Sequence, residues 1–505
     1  MSDVGGASRM NKSLRRLAIA CLVMFVVLLG WVNFLQVFRV DSLAAEAGNS
    51  RVFSQQFKNQ RGEIIADGAV HQVVIAKSKL IKGGIYQRFY PHAKVYAPIT
   101  GYDSILNTTS AFGATGIEQA ENKFLAGTAP SLAVYNLKGL FTGKSKQGAS
   151  VYLTIDPQAQ AAAYAALAAM GKPAAAVAID PKTGAILALA SYPTFNPNKY
   201  ATLDSGKLSK IDTAYRKDPS QPLLNRALND TFPPGSTFKI ITSSTAFSSG
   251  KVSNPNSTIP APQFYRLPGS HSSLVNDGDE TCGDGNPQII LAFTLSCNTA
   301  FGKLGVKLGN PPLHNYANLF GFNDPNLTTP LPVSASDYPL LKDPAQTALS
   351  AIGQFSDTVT PLEEAMMAAT IANGGTLMAP YMVEQIRAPD QEQVQKTTPT
   401  ELRQVVTSQV ASYLTRMMVS VTHSPDGTAF ATASPGATGL QIAGKTGTAQ
   451  NGVNNSNLND AVFTCFAPVS NPQIAVGVIV KGGGFGADAA APIAVKIMQA
   501  YLGSH

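Results

Sequence analysis

The sequence predicts an α+β protein carried behind a membrane anchor. Three observations support this: an uncharged apolar run near the N-terminus, β-prone runs at both ends of a long C-terminal region, and a mainly helical stretch between them. Such an order implies one antiparallel sheet closed by terminal strands, with the helices gathered into a subdomain. A chain of 505 residues is long enough for roughly two to four domains. Its composition, 44% hydrophobic and 14% charged, describes a globular, loop-rich chain and argues against extended disorder. The net charge of +7 is mild and not gathered into a Lys/Arg block. Nucleic acid is therefore not an expected partner, whereas an acidic wall polymer or anionic lipid would suit the charge.

The apolar run from Leu17 to Leu35 is about long enough to cross a bilayer as a helix. Arg9, Lys12, Arg15 and Arg16 all precede it. The positive-inside rule makes residues 1–16 a cytoplasmic tail and 17–37 the anchor, and places the chain after about Val40 outside. Trp31, the only tryptophan, falls near the outer end. Ala45-Glu46-Ala47 has the form of a cleavage site. It lies about ten residues beyond a run longer than a signal-peptide core, so an anchor is expected over a cleaved leader. Cys21, after Ala18-Ile19-Ala20, reads as an ordinary membrane-embedded cysteine.

Residues 38–150 alternate short β-prone runs, such as Val70 to Ala76 and Val95 to Ile99, with Gly, Asn and Pro, and form an irregular strand-rich module. Residues 151–505 make the second unit. Val151 to Ile155 is strand-like, and Asp156-Pro157 opens a helix over Gln158 to Met170, with Asp as cap and Pro in the first turn. Ala174 to Ile179 and Ala185 to Ala190 flank Asp180-Pro181-Lys182-Thr183-Gly184, a hairpin signal. From about Ser236 to Asn373 the chain is mainly helical. Strands return at Gln441 to Ala443, Val462 to Ala467 and Ile474 to Val480, and a last helix covers Pro492 to Leu502. Of the cysteines expected outside, Cys282, Cys297 and Cys465, one pair can form; Cys282 with Cys297 is plausible, but the sequence leaves the connectivity open. No CxxC or Cys/His cluster suggests a metal, and no cofactor is expected.

Three short stretches carry possible chemistry. Pro233-Pro234-Gly235-Ser236-Thr237-Phe238-Lys239 breaks the chain just before a helix. Ser236 and Lys239, three residues apart, then share a face, and a neutral Lys239 could take the serine proton. Burial, a second cation or a helix N-terminus would each lower the lysine's pKa. Ser296-Cys297-Asn298 fits a turn presenting a hydroxyl and an amide to one cleft. Lys445-Thr446-Gly447-Thr448, on a strand edge, offers a cation and two hydroxyls to a carboxylate, with glycine leaving room for a ligand backbone. Each has a bland alternative: a capping serine with a solvated lysine, an ordinary turn, a surface lysine. Gly439 to Thr446 also satisfies the P-loop pattern, yet lacks a strand before its first glycine and a helix after it, and is expected outside the cytoplasm.

Taken together and in this order, S-x-x-K, S-x-N and K-T-G mark penicillin-recognising serine enzymes. The chain resembles the class B, monofunctional penicillin-binding proteins, and by its compact length their actinobacterial A-type branch. The likeness also rests on Arg61-Gly62, Gly116-Ile117-Glu118, Asn225-Arg226-Ala227, Ala351-Ile352-Gly353-Gln354, Thr360-Pro361 and Lys445-Thr446-Gly447-Thr448-Ala449-Gln450. Ala66-Asp67-Gly68 and Val462-Phe463 depart from the usual pattern. The resemblance implies a penicillin-binding transpeptidase domain of the serine β-lactamase-like fold, an antiparallel sheet with a helical subdomain, behind a pedestal module and one transmembrane helix. It also implies residue roles. Ser236 would attack the penultimate D-Ala carbonyl of a peptidoglycan stem pentapeptide, with Lys239 as base and the N–H groups of Ser236 and Thr448 as oxyanion hole. Ser296 and Lys445 would pass the proton on, Asn298 would hold the substrate backbone, and Thr446, Gly447 and Thr448 would receive the terminal carboxylate. An acceptor amine resolves the acyl-enzyme, β-lactams trap it, and a polytopic glycan polymerase is the implied partner. A β-lactamase or D,D-carboxypeptidase sharing the motifs, or a scaffolding subunit, are the alternatives.

Overall fold

The computed structural model describes residues 5–38, 57–68, 72–104, 113–133, 135, 137, 146–277, 280–450 and 458–504. The Ala45-Glu46-Ala47 stretch, Val70 and residues 451–457 lie outside that set. The first helix, Gly5–Phe38, contains the apolar stretch Leu14–Leu35, of mean hydropathy 2.5, none of it buried. Its length and composition fit a single membrane crossing.

The strands are β1 (Ile64–Asp67), β2 (Gln72–Ile81), β3 (Ile85–Phe89), β4 (Ser150–Leu153), β5 (Ala174–Ile179), β6 (Ile186–Tyr192), β7 (Phe264–Arg266), β8 (Ser273–Val275), β9 (Thr376–Met378), β10 (Val383–Arg387), β11 (Gln393–Lys396), β12 (Glu401–Gln404), β13 (Ala443–Ala449), β14 (Asp460–Ala467) and β15 (Ile474–Val480). The larger C-terminal sheet runs β13-β14-β15-β5-β6, all antiparallel. It joins the hairpin at the start of this region to three strands near its end, as the sequence implied, but the first of these is Ala443–Ala449 and not Gln441 to Ala443, because pairing with β14, not apolar character, sets its extent. β5, β14 and β15 are buried along their whole length, which is why they read as continuous apolar runs without alternation. Helices Pro157–Met170 and Ala491–Leu502 cover one face and helix Pro361–Ala372 the other. Asp156 caps its helix as expected, Oδ1 accepting from the N–H groups of Gln158 and Ala159 at 3.0 and 2.7 Å. The β5–β6 turn is tied by Asp180, whose Oδ2 accepts from Thr183 Oγ1 at 2.7 Å.

A second sheet, ordered β11-β10-β4-β1-β2-β3, belongs to the base of the molecule. β4 pairs in parallel with β1 and antiparallel with β10, so chain from both ends of the sequence meets in it. Above it Glu118, fully buried, bonds Arg61 Nε at 2.7 Å and Arg88 Nε at 2.5 Å. Burial works against the carboxylate, but Arg88 and Arg61 outweigh it and hold its pKa below the ordinary value. One early expectation fails: Val95 to Ile99 is not a strand but part of the helix Ala93–Thr100. The β-branched residues suggested extension, whereas burial of Tyr96, Ala97, Pro98, Ile99 and Thr100 against neighbouring elements decides the conformation. Pro98 lies near the C-terminal end of this short helix, where only one intrahelical donor is lost, and its carbonyl accepts from Asn225 Nδ2 at 3.0 Å.

Candidate active site

Ser236 sits in a 3₁₀ turn, Gly235–Phe238, that leads directly into helix Lys239–Ser248. Gly235 has a φ of 55° and donates its N–H to Gly353 O at 2.9 Å. Gly353 itself has a φ of 73°, and a Cβ there would lie 2.0 Å from Gly235 O. The turn is thereby clamped from behind by the Ala351-Ile352-Gly353-Gln354 stretch. In front of it runs β13. A Cβ on Gly447 would meet Pro234 O at 2.7 Å, and one on Gly235 would meet Thr448 O at 2.8 Å. The glycines therefore let two backbones approach closely.

The two lysines converge on one serine. Lys239 Nζ donates to Ser296 O at 2.6 Å, Ser296 Oγ at 3.3 Å and Asn298 Oδ1 at 2.8 Å. Lys445 Nζ donates to the same Ser296 Oγ at 2.9 Å and to Thr446 O at 3.1 Å. Both lysines are fully buried, over the rings of Phe301 and Phe293 respectively. Burial pushes Lys239 well below the ordinary lysine value, and the Lys445 ammonium adds to the effect, while Asp277 opposes it. Lys445 is lowered to about 7, again mainly by burial and against Asp277. Both burial and the neighbouring ammonium favour the neutral form of Lys239.

Ser296 adopts a φ of 60°, rare for a residue with a side chain. This turns it out of helix Ile289–Thr294 so that its carbonyl and hydroxyl both face Lys239. Asn298 opens the next helix, Asn298–Leu308. Cys297 between them is bonded to Cys282, with Cα atoms 6.0 Å apart, so the structure pairs the two cysteines whose connectivity the sequence left open. Cys465 is free and buried.

A penicillin-binding protein transpeptidase domain model matches residues 174–499, and a penicillin-binding protein A dimerisation domain model matches residues 61–151. The peptidoglycan D,D-transpeptidase PbpA of Mycolicibacterium smegmatis is 39% identical over 98% of this chain and 99% of its own length. The chain belongs to the penicillin-binding protein family. The peptidoglycan D,D-transpeptidase MrdA of Escherichia coli is more distant, at 29% identity over 80% of this chain and 69% of its own. Among solved structures, the ceftriaxone acyl-enzyme of Mycobacterium tuberculosis penicillin-binding protein A superposes with a TM-score of 0.83 at 36% identity. It covers 89% of this chain and 100% of that one. Pseudomonas aeruginosa PBP2 superposes with a TM-score of 0.73 at 30% identity, over 88% and 96% of the two chains. The fold is that of the penicillin-binding transpeptidases, with the A-type dimerisation module.

Within this family frame, the structure brings Ser236, Lys239, Ser296, Asn298 and Lys445 to one place, with Thr446, Gly447 and Thr448 alongside on β13. Among the described residues Lys239 makes no hydrogen bond to Ser236; its Nζ lies within hydrogen-bond distance of Ser296 O, Ser296 Oγ and Asn298 Oδ1. Thr448 is half-buried, whereas Thr446 is buried and its Oγ1 lies 2.6 Å from Thr428 Oγ1. Thr428 was not foreseen, since it sits in a loop with no motif of its own. The P-loop pattern is excluded by its surroundings: the short helical turn Pro435–Thr438 precedes Gly439, and Lys445 lies inside β13. No group of three or more potential metal ligands occurs among the described residues.

Proposed function

We infer that this chain is a serine-type peptidoglycan D,D-transpeptidase in which Ser236 forms the acyl-enzyme. The observation that carries the residue assignment is the bridging of Lys239 and Lys445 by Ser296 beside the Ser236 turn. Neutral Lys239 takes the Ser236 proton as Oγ attacks the carbonyl of the penultimate D-Ala. The N–H groups of Ser236 and Thr448 receive the developing oxyanion, the usual source of most of the barrier lowering. Ser296 Oγ, bonded to both lysines, carries the proton towards the departing D-Ala amine. Lys445, bonded to Ser296 Oγ, shares in this relay, Thr446, oriented by Thr428, and Thr448 hold the terminal carboxylate, and Asn298 aligns the peptide backbone. An amine from a neighbouring stem then takes the acyl group, and a β-lactam mimics the donor.

The anchor and its preceding Arg9, Lys12, Arg15 and Arg16 support a single crossing with the catalytic unit on the extracytoplasmic side. We assign residues 38–150 to the pedestal and 151–505 to the catalytic unit. The anchor and pedestal are the surfaces offered to a polytopic glycan polymerase, the partner the family suggests. Time-resolved labelling with fluorescent penicillin tests the central assignment. Wild type should label and keep the label, and Ser236→Ala should not label. An unlabelled wild type overturns the reading, and a label lost within seconds indicates a hydrolase.

A further inference from the structure

Beneath the Ser236 turn, helix Pro361–Ala372 buries a carboxyl group that the chemistry above leaves unused. Glu364 is fully buried. Its Oε1 lies 2.6 Å from Thr237 Oγ1, and its Oε2 has no partner. Thr237 is the residue directly after Ser236, and its hydroxyl also lies 2.9 Å from Pro234 O. A threonine hydroxyl has a single proton, and a carbonyl oxygen can only accept. If that proton went to an ionised Glu364, Pro234 O would lose its hydrogen bond to Thr237, and a buried negative charge would keep one oxygen unpaired. If Glu364 is protonated, it donates to Thr237 Oγ1, which in turn donates to Pro234 O, and both contacts are satisfied.

The helix field opposes this state, because Glu364 lies in the first turn, where a negative charge is favoured. The penalty for burying a carboxylate with an unpaired oxygen is the larger effect. Burial accordingly pushes Glu364 up to about 8, against the Thr237 hydrogen bond. The backbone of Glu364 is fixed by the sheet: Thr464 Oγ1 on β14 donates to Glu364 O, and Gly477 on β15 lets the helix sit close. Pro234 O, at the far end of the hydrogen-bond chain, is the atom that a Cβ on Gly447 of β13 would meet first.

We propose that Glu364, in its protonated form, is a positioning residue for acylation, fixing the nucleophile turn against β13 through Thr237 and Pro234. The proposal rests on the reading of Ser236 as nucleophile. It is tested by measuring the rate constant for acylation by fluorescent penicillin in the full-length protein. Glu364→Leu and Thr237→Val should each lower it about tenfold or more. The double variant should be no slower than the worse single one, as expected of two links in one chain. Glu364→Gln keeps a donor at the same place and should restore the rate to within about threefold of wild type. The infrared difference spectrum of wild type minus Glu364→Gln at neutral pH should show a protonated-carboxyl band. Acylation of Glu364→Leu or Thr237→Val within twofold of wild type overturns the positioning role, and a carboxylate band overturns the protonated form. Should Glu364→Leu fail to fold, Thr237→Val and the infrared spectrum still decide. Loss of label in every protein, wild type included, would instead indict the assignment of Ser236.

Discussion

Gly447→Ala isolates the fit between the nucleophile turn and β13. The backbone of Gly447 lies outside the left-handed region, so alanine meets no conformational penalty, and its whole effect is the added methyl group. That methyl would stand 2.7 Å from Pro234 O, 2.9 Å from Val462 Cβ and 3.2 Å from Thr237 Cγ2. Relief to an ordinary contact of at least 3.4 Å forces strand and turn apart by roughly 0.7 Å. The N–H groups proposed to hold the oxyanion lie on opposite sides of this seam, one on the turn and one on the strand. Separating them misplaces at least one donor, a defect worth about 100-fold in rate, or about 2.7 kcal/mol of barrier. Stopped-flow acylation by a fluorescent penicillin reads the loss directly, with a thermal melt to show that the protein remains folded. Gly436→Ala, where an added methyl meets nothing within 4 Å, serves as the control. A folded Gly447→Ala protein that acylates within threefold of wild type would refute the reasoning.

Lys445→Ala removes the cation that, after burial, contributes most to keeping Lys239 neutral. The pKa of Lys239 should rise, so the acid limb of the acylation profile should move to higher pH; an unchanged limb would show that Lys445 does not tune Lys239. Glu118→Gln leaves Arg61 and Arg88 buried around a neutral amide and should cost about 3 kcal/mol or more in denaturant unfolding. Because the folded pKa of Glu118 is depressed, its contribution is present above its unfolded value near 4.5 and is lost as pH falls through the lower folded value. Wild type should therefore lose more stability than Glu118→Gln over that acid window. Replacing Cys282 and Cys297 by serine opens a loop with a sequence separation of 15. The expected loss is about 3 kcal/mol by chain entropy, measured as the shift in denaturation free energy.

Local signals carried much of the architecture. Asp156-Pro157 and the turn around Asp180 are short-range devices, complete within a few residues, and both stand where the sequence placed them. The three motifs were informative together because the chemistry needs a nucleophile, two lysines and a relay hydroxyl at once. What stayed hidden depends on contacts between distant positions. Thr237 with Glu364, Thr428 with Thr446, and Arg88 with Glu118 each join separate stretches of the chain, and one member of each pair, Glu364, Thr428 and Arg88, stands in no recognised motif. Val95 to Ile99 misled for the same reason, its intrinsic preference overruled by its surroundings.

The sheet at the base of the molecule bears on how the protein is made. β4 has β1 on one side and β10 on the other, and β10 begins only at Val383. A chain delivered N-terminus first presents β4 with one edge bare until most of the sequence has followed. During that interval the edge can pair with any other extended chain nearby. This sheet is therefore begun early in synthesis and completed late, and a fragment ending near residue 155, just past β4, would retain an open edge for which the intact protein has its own strand.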